Sequence, residues 1–123
     1  MLRITLTDEA KDEIRSLGSK AQARIGEKIN HVQRLGWEEA LKLELVKDLG
    51  SLVAGMFEIV IKGKGESYRA LCFLTRDAEG RLVVVTSAVA KSAVLGTGRL
   101  KRHVRRAAER RAEWMKKQEE ERP

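Results

Sequence analysis

The sequence has 123 residues, of which 42% are hydrophobic and 35% charged, and its formal net charge is +7. This length and composition are typical of a single folded domain spanning residues 1–123, and they argue against a disordered chain. No apolar run approaches the roughly 20 residues of a transmembrane span, and the start turns acidic too soon for a signal peptide, so we expect a cytoplasmic protein without membrane contact.

The first third of the chain is predicted to form a short strand and then a helical hairpin. Residues 2–5 alternate between apolar and polar side chains, as a half-buried strand does. Thr7 is placed to cap a first helix that ends at Gly18, and Ser19 to cap a second that ends at Gly36. The two helices follow each other closely enough to pack as a hairpin.

From Leu41 onward the pattern becomes strand-like, in segments separated by connections that mostly contain glycine. The segments are "LKLELV", "MFEIVIK", "SYRALCFLT" and "RLVVVTSAVA". A last, basic helix is predicted from about Arg99 to Glu121, with a tail over about 117–123 that frays. The predicted class is α+β, with the N-terminal strand and helical hairpin packed on a three- to four-stranded antiparallel sheet, plus the C-terminal helix.

The hairpin turn at Lys64 and Gly65 predicts how the strands on either side of it align. This turn places Val60 opposite Arg69 and Glu58 opposite Leu71. Phe57, Ile59, Ile61, Tyr68, Ala70, Cys72 and Leu74 then form an apolar face that we expect to bury against the helices. A second turn, at residues 77–80, aligns the middle strand with the last one and places Arg69 opposite Ala88.

Arg69 therefore lies on the middle strand of the predicted sheet, on the face that the core does not need. Lys62 is its diagonal neighbour, and Lys91 lies just past the end of the last strand. A charged side chain in the middle of a sheet needs a partner or an open cleft. Two interpretations remain: a salt bridge to Glu58, which is also diagonal, or a cleft in which the guanidinium grips a phosphate with two hydrogen bonds.

Positive charge accumulates toward the C-terminus. Residues 1–50 carry nine basic and nine acidic side chains, whereas residues 97–123 carry ten and five. An uneven distribution of this kind suits a polyanion such as nucleic acid, whose binding depends largely on neutralising phosphates. The alternative is a soluble surface with a tail rich in lysine and arginine.

Metal and disulfide chemistry have little support in the sequence. Cys72 is the only cysteine, so no internal disulfide can form. His31 and His103 are the only histidines, and with one cysteine they do not make a credible zinc cluster. We therefore expect neither a metal nor a cofactor.

The span from Val46 to Lys91 resembles the RelE/ParE toxin superfamily, and specifically its HigB-like, phage-associated branch. The resemblance rests on the order and spacing of four segments: "VKDL", "FEIVIK", "SYRALCF" and "RLVVVTSAVAKS". It implies a RelE-like fold over the whole chain. It also implies the toxin of a type II toxin–antitoxin module, a ribosome-dependent mRNA endonuclease that inhibits translation by metal-free attack of the RNA 2′-OH.

The resemblance also implies roles for four residues of the sheet. Arg69 corresponds to the family arginine and would stabilise the phosphate in the transition state. Lys62 and Lys64 correspond to basic positions on neighbouring strands, and either could act as the general base. Lys91 corresponds to the first lysine after the last strand, as a phosphate clamp or acid. Three positions depart from the family pattern. Val60 replaces an arginine, Ala90 replaces an aromatic residue and Ser92 replaces a second lysine.

The partners that the resemblance implies are mRNA, ribosomal RNA and a cognate antitoxin protein. The basic residues expected to hold the ribosomal RNA backbone are Arg99, Lys101, Arg102, Arg105 and Arg106. Two alternatives stay open: a non-catalytic phage or regulatory binding protein of the same fold, and a ParE-like gyrase inhibitor in which the C-terminal helix carries the function.

Overall fold

The computed structural model describes residues 1–121, which form a five-stranded mixed sheet with helices on both faces. The strands are β1 (Arg3–Leu6), β2 (Val46–Asp48), β3 (Phe57–Ile61), β4 (Tyr68–Asp77) and β5 (Gly80–Ala90). The helices are α1 (Asp8–Ser16), α2 (Ser19–Leu35), α3 (Trp37–Lys42) and α4 (Thr97–Glu120), with a 3₁₀ helix at Lys91–Val94. The predicted α+β class is confirmed, and the architecture is compatible with a RelE-like fold.

The sheet has the strand order β1-β5-β4-β3-β2. Neighbouring strands are antiparallel except for β1, which pairs in parallel with β5. The N-terminal strand therefore does not pack on the sheet but extends it as a fifth strand. β1 pairs only with residues 82–85, so the rest of β5 is left for α1 to cover.

The starts of the first two helices differ in how they are capped. The Thr7 hydroxyl accepts a hydrogen bond from the backbone N–H of Ala10 at 3.2 Å, which confirms the predicted cap of α1. Ser19, predicted as a cap, is instead the first residue of α2, and Gly18 takes the cap position with a φ of 99°. Glycine adopts this φ without the steric cost that a side chain adds.

The segment "LKLELV" is not the strand that the sequence predicts. Leu41 and Lys42 end helix α3, and the strand begins only at Val46. Helical spacing buries Trp37 and Ala40 on one side of α3, and the Trp37 ring packs edge-on against Phe57 with 4.9 Å between ring centroids. This packing outweighs the local alternation of apolar and polar residues.

The first hairpin has the predicted register, and the second departs from it at a bulge. Phe73 lies opposite Val84 as expected, but Arg69 lies opposite Val89 rather than Ala88. The shift arises between Leu71 and Cys72, where Thr86 is an extra residue on β5. The Thr86 hydroxyl donates to the carbonyl oxygen of Ala107 at 3.0 Å, so the bulge anchors α4 to the sheet.

Each face of the sheet carries a hydrophobic core. The first, beneath α1, α2 and α3, contains the predicted apolar face of the hairpin. The second lies beneath α4 and contains Leu71, Phe73, Val84, Val104 and Ala107. The face of Arg69 was expected to stay outside the core. This expectation is wrong for the part that α4 covers, because Leu71 and Phe73 on that face are buried against the helix.

Helix α4 continues to Glu120, so residues 117–120 of the segment predicted to fray are helical. Residues 122 and 123 lie outside the described part of the chain. Among the helices of residues 1–121, α4 included, none is long and apolar enough to cross a membrane.

The second core predicts a large loss of stability when Leu71 is truncated. Leu71 is fully buried, so Leu71→Ala is expected to lower the free energy of unfolding by about 2–5 kcal/mol. Leu43→Ala is the matched control, since Leu43 is 53% exposed and should change it by less than about 0.5 kcal/mol. Urea denaturation of both variants measures the difference, and equal losses would contradict the second core.

Candidate functional site

An ion pair joins β3 and β4 in the middle of the sheet. The cross-strand register places Val60 opposite Arg69 and Glu58 opposite Leu71, so Arg69 and Glu58 are diagonal neighbours on one face. Nη1 of Arg69 lies 2.5 Å from Oε2 of Glu58. Of the two interpretations of Arg69, the salt bridge to Glu58 is therefore confirmed.

The Arg69–Glu58 pair is mostly buried, but not all of its hydrogen-bonding atoms are used within the protein. The side chain of Arg69 is 20% exposed and that of Glu58 is 6% exposed. A guanidinium has five N–H donors, and within residues 1–121 Arg69 donates only through Nη1. Oε1 of Glu58 accepts no hydrogen bond there, and 6% of the Glu58 side chain is exposed. The pair can therefore both bind an anion and accept a proton.

Lys62 lies with helix α2 rather than with Arg69. Strand β3 ends at Ile61, whose side chain belongs to the core beneath α2. Lys62 follows it and lines a groove together with Ile61 and side chains of α2. The diagonal arrangement of Lys62 and Arg69 assumed that strand alternation continues, but the alternation ends with the strand.

Lys64 lies at the exposed tip of the β3–β4 hairpin. Arg24 of α2 holds the backbone of this tip, because its Nη1 donates to the carbonyl oxygens of Lys64 at 3.3 Å and Glu66 at 3.4 Å. Gly63 permits this approach, since an added Cβ there would lie 2.8 Å from Cζ of Arg24. The hairpin tip directs the Lys64 ammonium into solvent, away from the middle of the sheet.

Lys91 lies at the end of the sheet that carries Arg69. It follows Val89, the cross-strand partner of Arg69, by two residues. Its backbone N–H donates to the carbonyl oxygen of Ser67 at 2.8 Å, which fixes its position beside the start of β4. Strand β5 ends at Ala90 and Lys91 begins the 3₁₀ helix, so it is the Lys91 backbone that lies beside the strand end carrying Arg69.

The hairpin tip is tied to the 3₁₀ helix by Glu66 and Ser92. The Ser92 hydroxyl donates to Oε2 of Glu66 at 2.8 Å, and its backbone N–H donates to Oε1 at 3.4 Å. The hydroxyl hydrogen bond holds the pKa of Glu66 below the usual range of a glutamate, because it stabilises the carboxylate. Ser92 thus has a structural role at the position where the resembling toxins carry a lysine.

Helix α4 presents its predicted RNA-binding cations to solvent. All five are exposed: Arg99, Lys101, Arg102, Arg105 and Arg106. The opposite side of the helix is buried through Val104 and Ala107. Partial burial lowers the pKa of His103, and the charge of Arg106 lowers it further, so His103 adds little positive charge near pH 7.

Arg110 of α4 has a different role, which the sequence does not reveal. Its Nη1 lies 2.8 Å from Oε1 of Glu13 and donates to the carbonyl oxygen of Thr86 at 2.8 Å. Glu13 also accepts a hydrogen bond from the backbone N–H of Ala88 at 3.2 Å. These contacts fasten α4 to α1 along the part of β5 that β1 does not cover. Glu13 and Arg110 are 97 positions apart, so no local pattern predicts the pair.

A second group of cations lines a groove of about 540 Å³ between α2 and the end of β3. The lining side chains are those of Arg24, Glu27, Lys28, Asn30, His31, Arg34, Ile61 and Lys62. The polar side chains of α2 that include these cations, Arg24, Lys28, His31 and Arg34, recur every three or four positions, which places them along one side of the helix. That spacing is visible in the sequence, and it is the signal that could have indicated the groove.

The family model described as "Phage derived protein Gp49-like" matches residues 12–113. This chain belongs to the phage-derived Gp49-like family. The family is toxin-like. The matched span includes the Arg69–Glu58 pair, the groove beside α2 and the exposed cations of α4. Comparison with curated proteins and with solved structures gave no match.

The geometry of the Arg69–Glu58 pair predicts that its loss destabilises the fold. Glu58→Ala leaves a mostly buried guanidinium without its partner, which is expected to lower the free energy of unfolding by about 1–3 kcal/mol. Arg76→Ala is the matched control, because Arg76 is exposed on the same strand as Arg69 and forms no salt bridge within residues 1–121. We expect chemical denaturation to show a clear loss of unfolding free energy for Glu58→Ala only. Identical denaturation curves for the two variants would contradict a stabilising Arg69–Glu58 pair.

The Glu66–Ser92 contact predicts that one substitution shifts the pKa of Glu66. The pKa of Glu66 is lowered in the folded protein, so the contact is present above the ordinary glutamate range and is lost as the pH falls through that lowered pKa. Ser92→Ala removes the hydroxyl hydrogen bond, which is the largest cause of the lowered pKa, and should raise the titration midpoint of Glu66 toward the ordinary glutamate range. Carboxyl NMR titration measures both midpoints, and an unchanged midpoint in the variant would count against the contact.

Proposed function

We propose that this protein is the toxin of a HigB-like toxin–antitoxin module and that it cleaves mRNA on the ribosome. Membership of a toxin-like family supports the general class. The observation that carries the finer proposal is the Arg69–Glu58 pair, which brings guanidinium donors and a carboxylate oxygen without hydrogen-bond partners in residues 1–121 to one point. Metal-free cleavage of RNA needs both, a cation for the phosphate and a base for the 2′-OH.

The proposed reaction is a transesterification within the RNA strand. Oε1 of Glu58 takes the proton of the 2′-OH, and the 2′ oxygen attacks the adjacent phosphorus. The bond from phosphorus to the 5′ oxygen breaks, and this oxygen takes a proton from the ammonium of Lys91. The products are a 2′,3′-cyclic phosphate and a 5′-hydroxyl. The free N–H groups of Arg69 hydrogen-bond to the non-bridging oxygens, whose negative charge grows in the transition state.

The role of general base thus falls to Glu58 rather than to Lys62 or Lys64. Glu58 supports this role because its carboxylate lies 2.5 Å from the guanidinium that would hold the phosphate. Lys62 lines the groove beside α2, and Lys64 extends from the hairpin tip. Val60, directly opposite Arg69, offers no second cation where the resembling toxins have an arginine. Charge stabilisation in the proposed site therefore depends on Arg69 and Lys91.

The partners that follow from this proposal are mRNA, ribosomal RNA and an antitoxin. The five exposed cations of α4 suit the RNA backbone, since phosphate neutralisation supplies most of the affinity in such contacts. A ribosome-dependent toxin acts in the cytoplasm, so we place the protein there. Its antitoxin would be the product of an adjacent small gene, and co-expression of that product should restore growth to cells that express this protein.

The proposal predicts that two substitutions in the pair abolish cleavage. Arg69→Ala removes the phosphate ligand, and Glu58→Gln keeps the size of the side chain but removes the base. Each is expected to slow mRNA cleavage on purified translating ribosomes by at least about 100-fold. Arg76→Ala is the matched control because Arg76 lies exposed on the same strand, and it should leave the rate unchanged. Primer extension on the cleaved mRNA gives the rates.

Thermal unfolding of each variant separates loss of chemistry from loss of structure. A folded Arg69→Ala variant that cleaves as fast as wild type would contradict the assignment of Arg69. A folded Glu58→Gln variant with full activity would remove Glu58 as the base. If the wild-type protein neither cleaves mRNA nor arrests growth without an antitoxin, the endonuclease proposal fails and the Arg69–Glu58 pair has a purely structural role.

A further inference from the structure

The groove beside α2 is strongly basic and lies apart from the candidate site and from α4. Arg24, Lys28 and Arg34 of α2 supply permanent positive charges, and Lys62 adds one from the opposite wall. Glu27 is the only acidic residue among those that line it. Arg24 is already bonded to the hairpin tip through one nitrogen, whereas Lys28, Arg34 and Lys62 form no salt bridge within residues 1–121.

The spacing of these cations fits a row of phosphates. Arg24 and Arg34 are ten residues apart on one helix, which corresponds to about 15 Å along its axis. A stacked strand advances about 3.4 Å along its axis per nucleotide, so this length corresponds to an advance of roughly four nucleotides. Lys62 lies across the groove from this row and can hold the same backbone from the second side.

The chemistry of the groove favours a nucleic-acid backbone over a protein segment. Protein interfaces depend on apolar and aromatic anchors in their centre. Ile61 is the only apolar side chain among the residues that line this groove, and none of them is Trp, Tyr or Phe. Without Trp, Tyr or Phe the groove has only the His31 ring and the arginine planes for base stacking, and its cations favour contacts with phosphate, which carry no sequence information.

We propose that the groove formed by Arg24, Lys28, Arg34 and Lys62 is a second RNA-binding site, which holds the phosphate backbone of an RNA strand independently of sequence. Helix α2 packs on one face of the sheet and α4 on the other. The two basic surfaces therefore point in different directions, and a protein with both can contact two RNA segments at once. Binding at the groove does not depend on the cleavage chemistry proposed for Arg69 and Glu58.

The test measures binding of a fluorescein-labelled 2′-O-methyl RNA 12-mer, which cannot be cleaved through its 2′ position, by anisotropy over a series of KCl concentrations. The groove variant carries Lys28→Ala, Arg34→Ala and Lys62→Ala, and leaves Arg24 to hold the hairpin. The control variant carries Lys42→Ala, Arg76→Ala and Lys116→Ala, which remove the same charge from exposed sites elsewhere. Both variants should unfold at the wild-type temperature.

We expect the groove variant to bind roughly tenfold more weakly at low salt and to lose about 2 from the slope of log affinity against log salt, at about 0.7 per phosphate contact. The control variant should keep the wild-type slope. In the single variant Arg34→Ala the slope of log affinity against log salt should fall by about 0.7. This variant tests the proposal even if the triple variant is unstable. Equal slopes for groove and control variants would overturn the proposal. So would a groove variant that loses affinity for poly-glutamate by a larger factor than for the RNA at equal charge concentration, which would assign the groove to acidic proteins.

Discussion

The register of β3 against β4 decides which side chains meet in the middle of the sheet. It sets Arg69 opposite Val60 and leaves Glu58 as the diagonal carboxylate, while Ile59 and Ala70 point to the other face and into the core beneath α2. A shift of one residue would exchange the two faces and bury Arg69 among apolar side chains, at a high cost in free energy. The contacts at the hairpin tip, from α2 on one side and the 3₁₀ helix on the other, help to hold this alignment.

Helices on both faces of one sheet give this small chain two separate basic surfaces. The core beneath α2 leaves the outer side of that helix free to line a groove, and the core beneath α4 leaves five cations of that helix in solvent. The Glu13–Arg110 pair and the bulge at Thr86 fasten α4 in place. Burial of the apolar sides thus orients both sets of charges without burying them, which suits binding to a polyanion.

Local features of the sequence predicted local structure well. The Thr7 cap and the pairing of Val60 with Arg69 depend on neighbouring residues, and both are present. The two-residue turn expected at Lys64 and Gly65 is instead a bend within the six-residue connection 62–67. Two features that depend on tertiary packing were missed. The bulge at Thr86 forms a hydrogen bond to α4, and helix α3 packs its tryptophan against β3. The same reason explains the candidate site. Strand alternation placed Glu58 diagonal to Arg69 and left their salt bridge as one of two interpretations, but it could not show that Lys62 leaves the strand.

The central claim is that the Arg69–Glu58 pair is where RNA is bound for cleavage. The most direct measurement is a cryo-EM structure of the protein on a translating ribosome whose mRNA carries 2′-O-methyl groups and so stays intact. The account predicts a phosphate of the mRNA within hydrogen-bond distance of the Arg69 guanidinium, with the methylated 2′ oxygen beside the carboxylate of Glu58. An mRNA that passes elsewhere, with the pair still closed and no phosphate against it, would contradict the account.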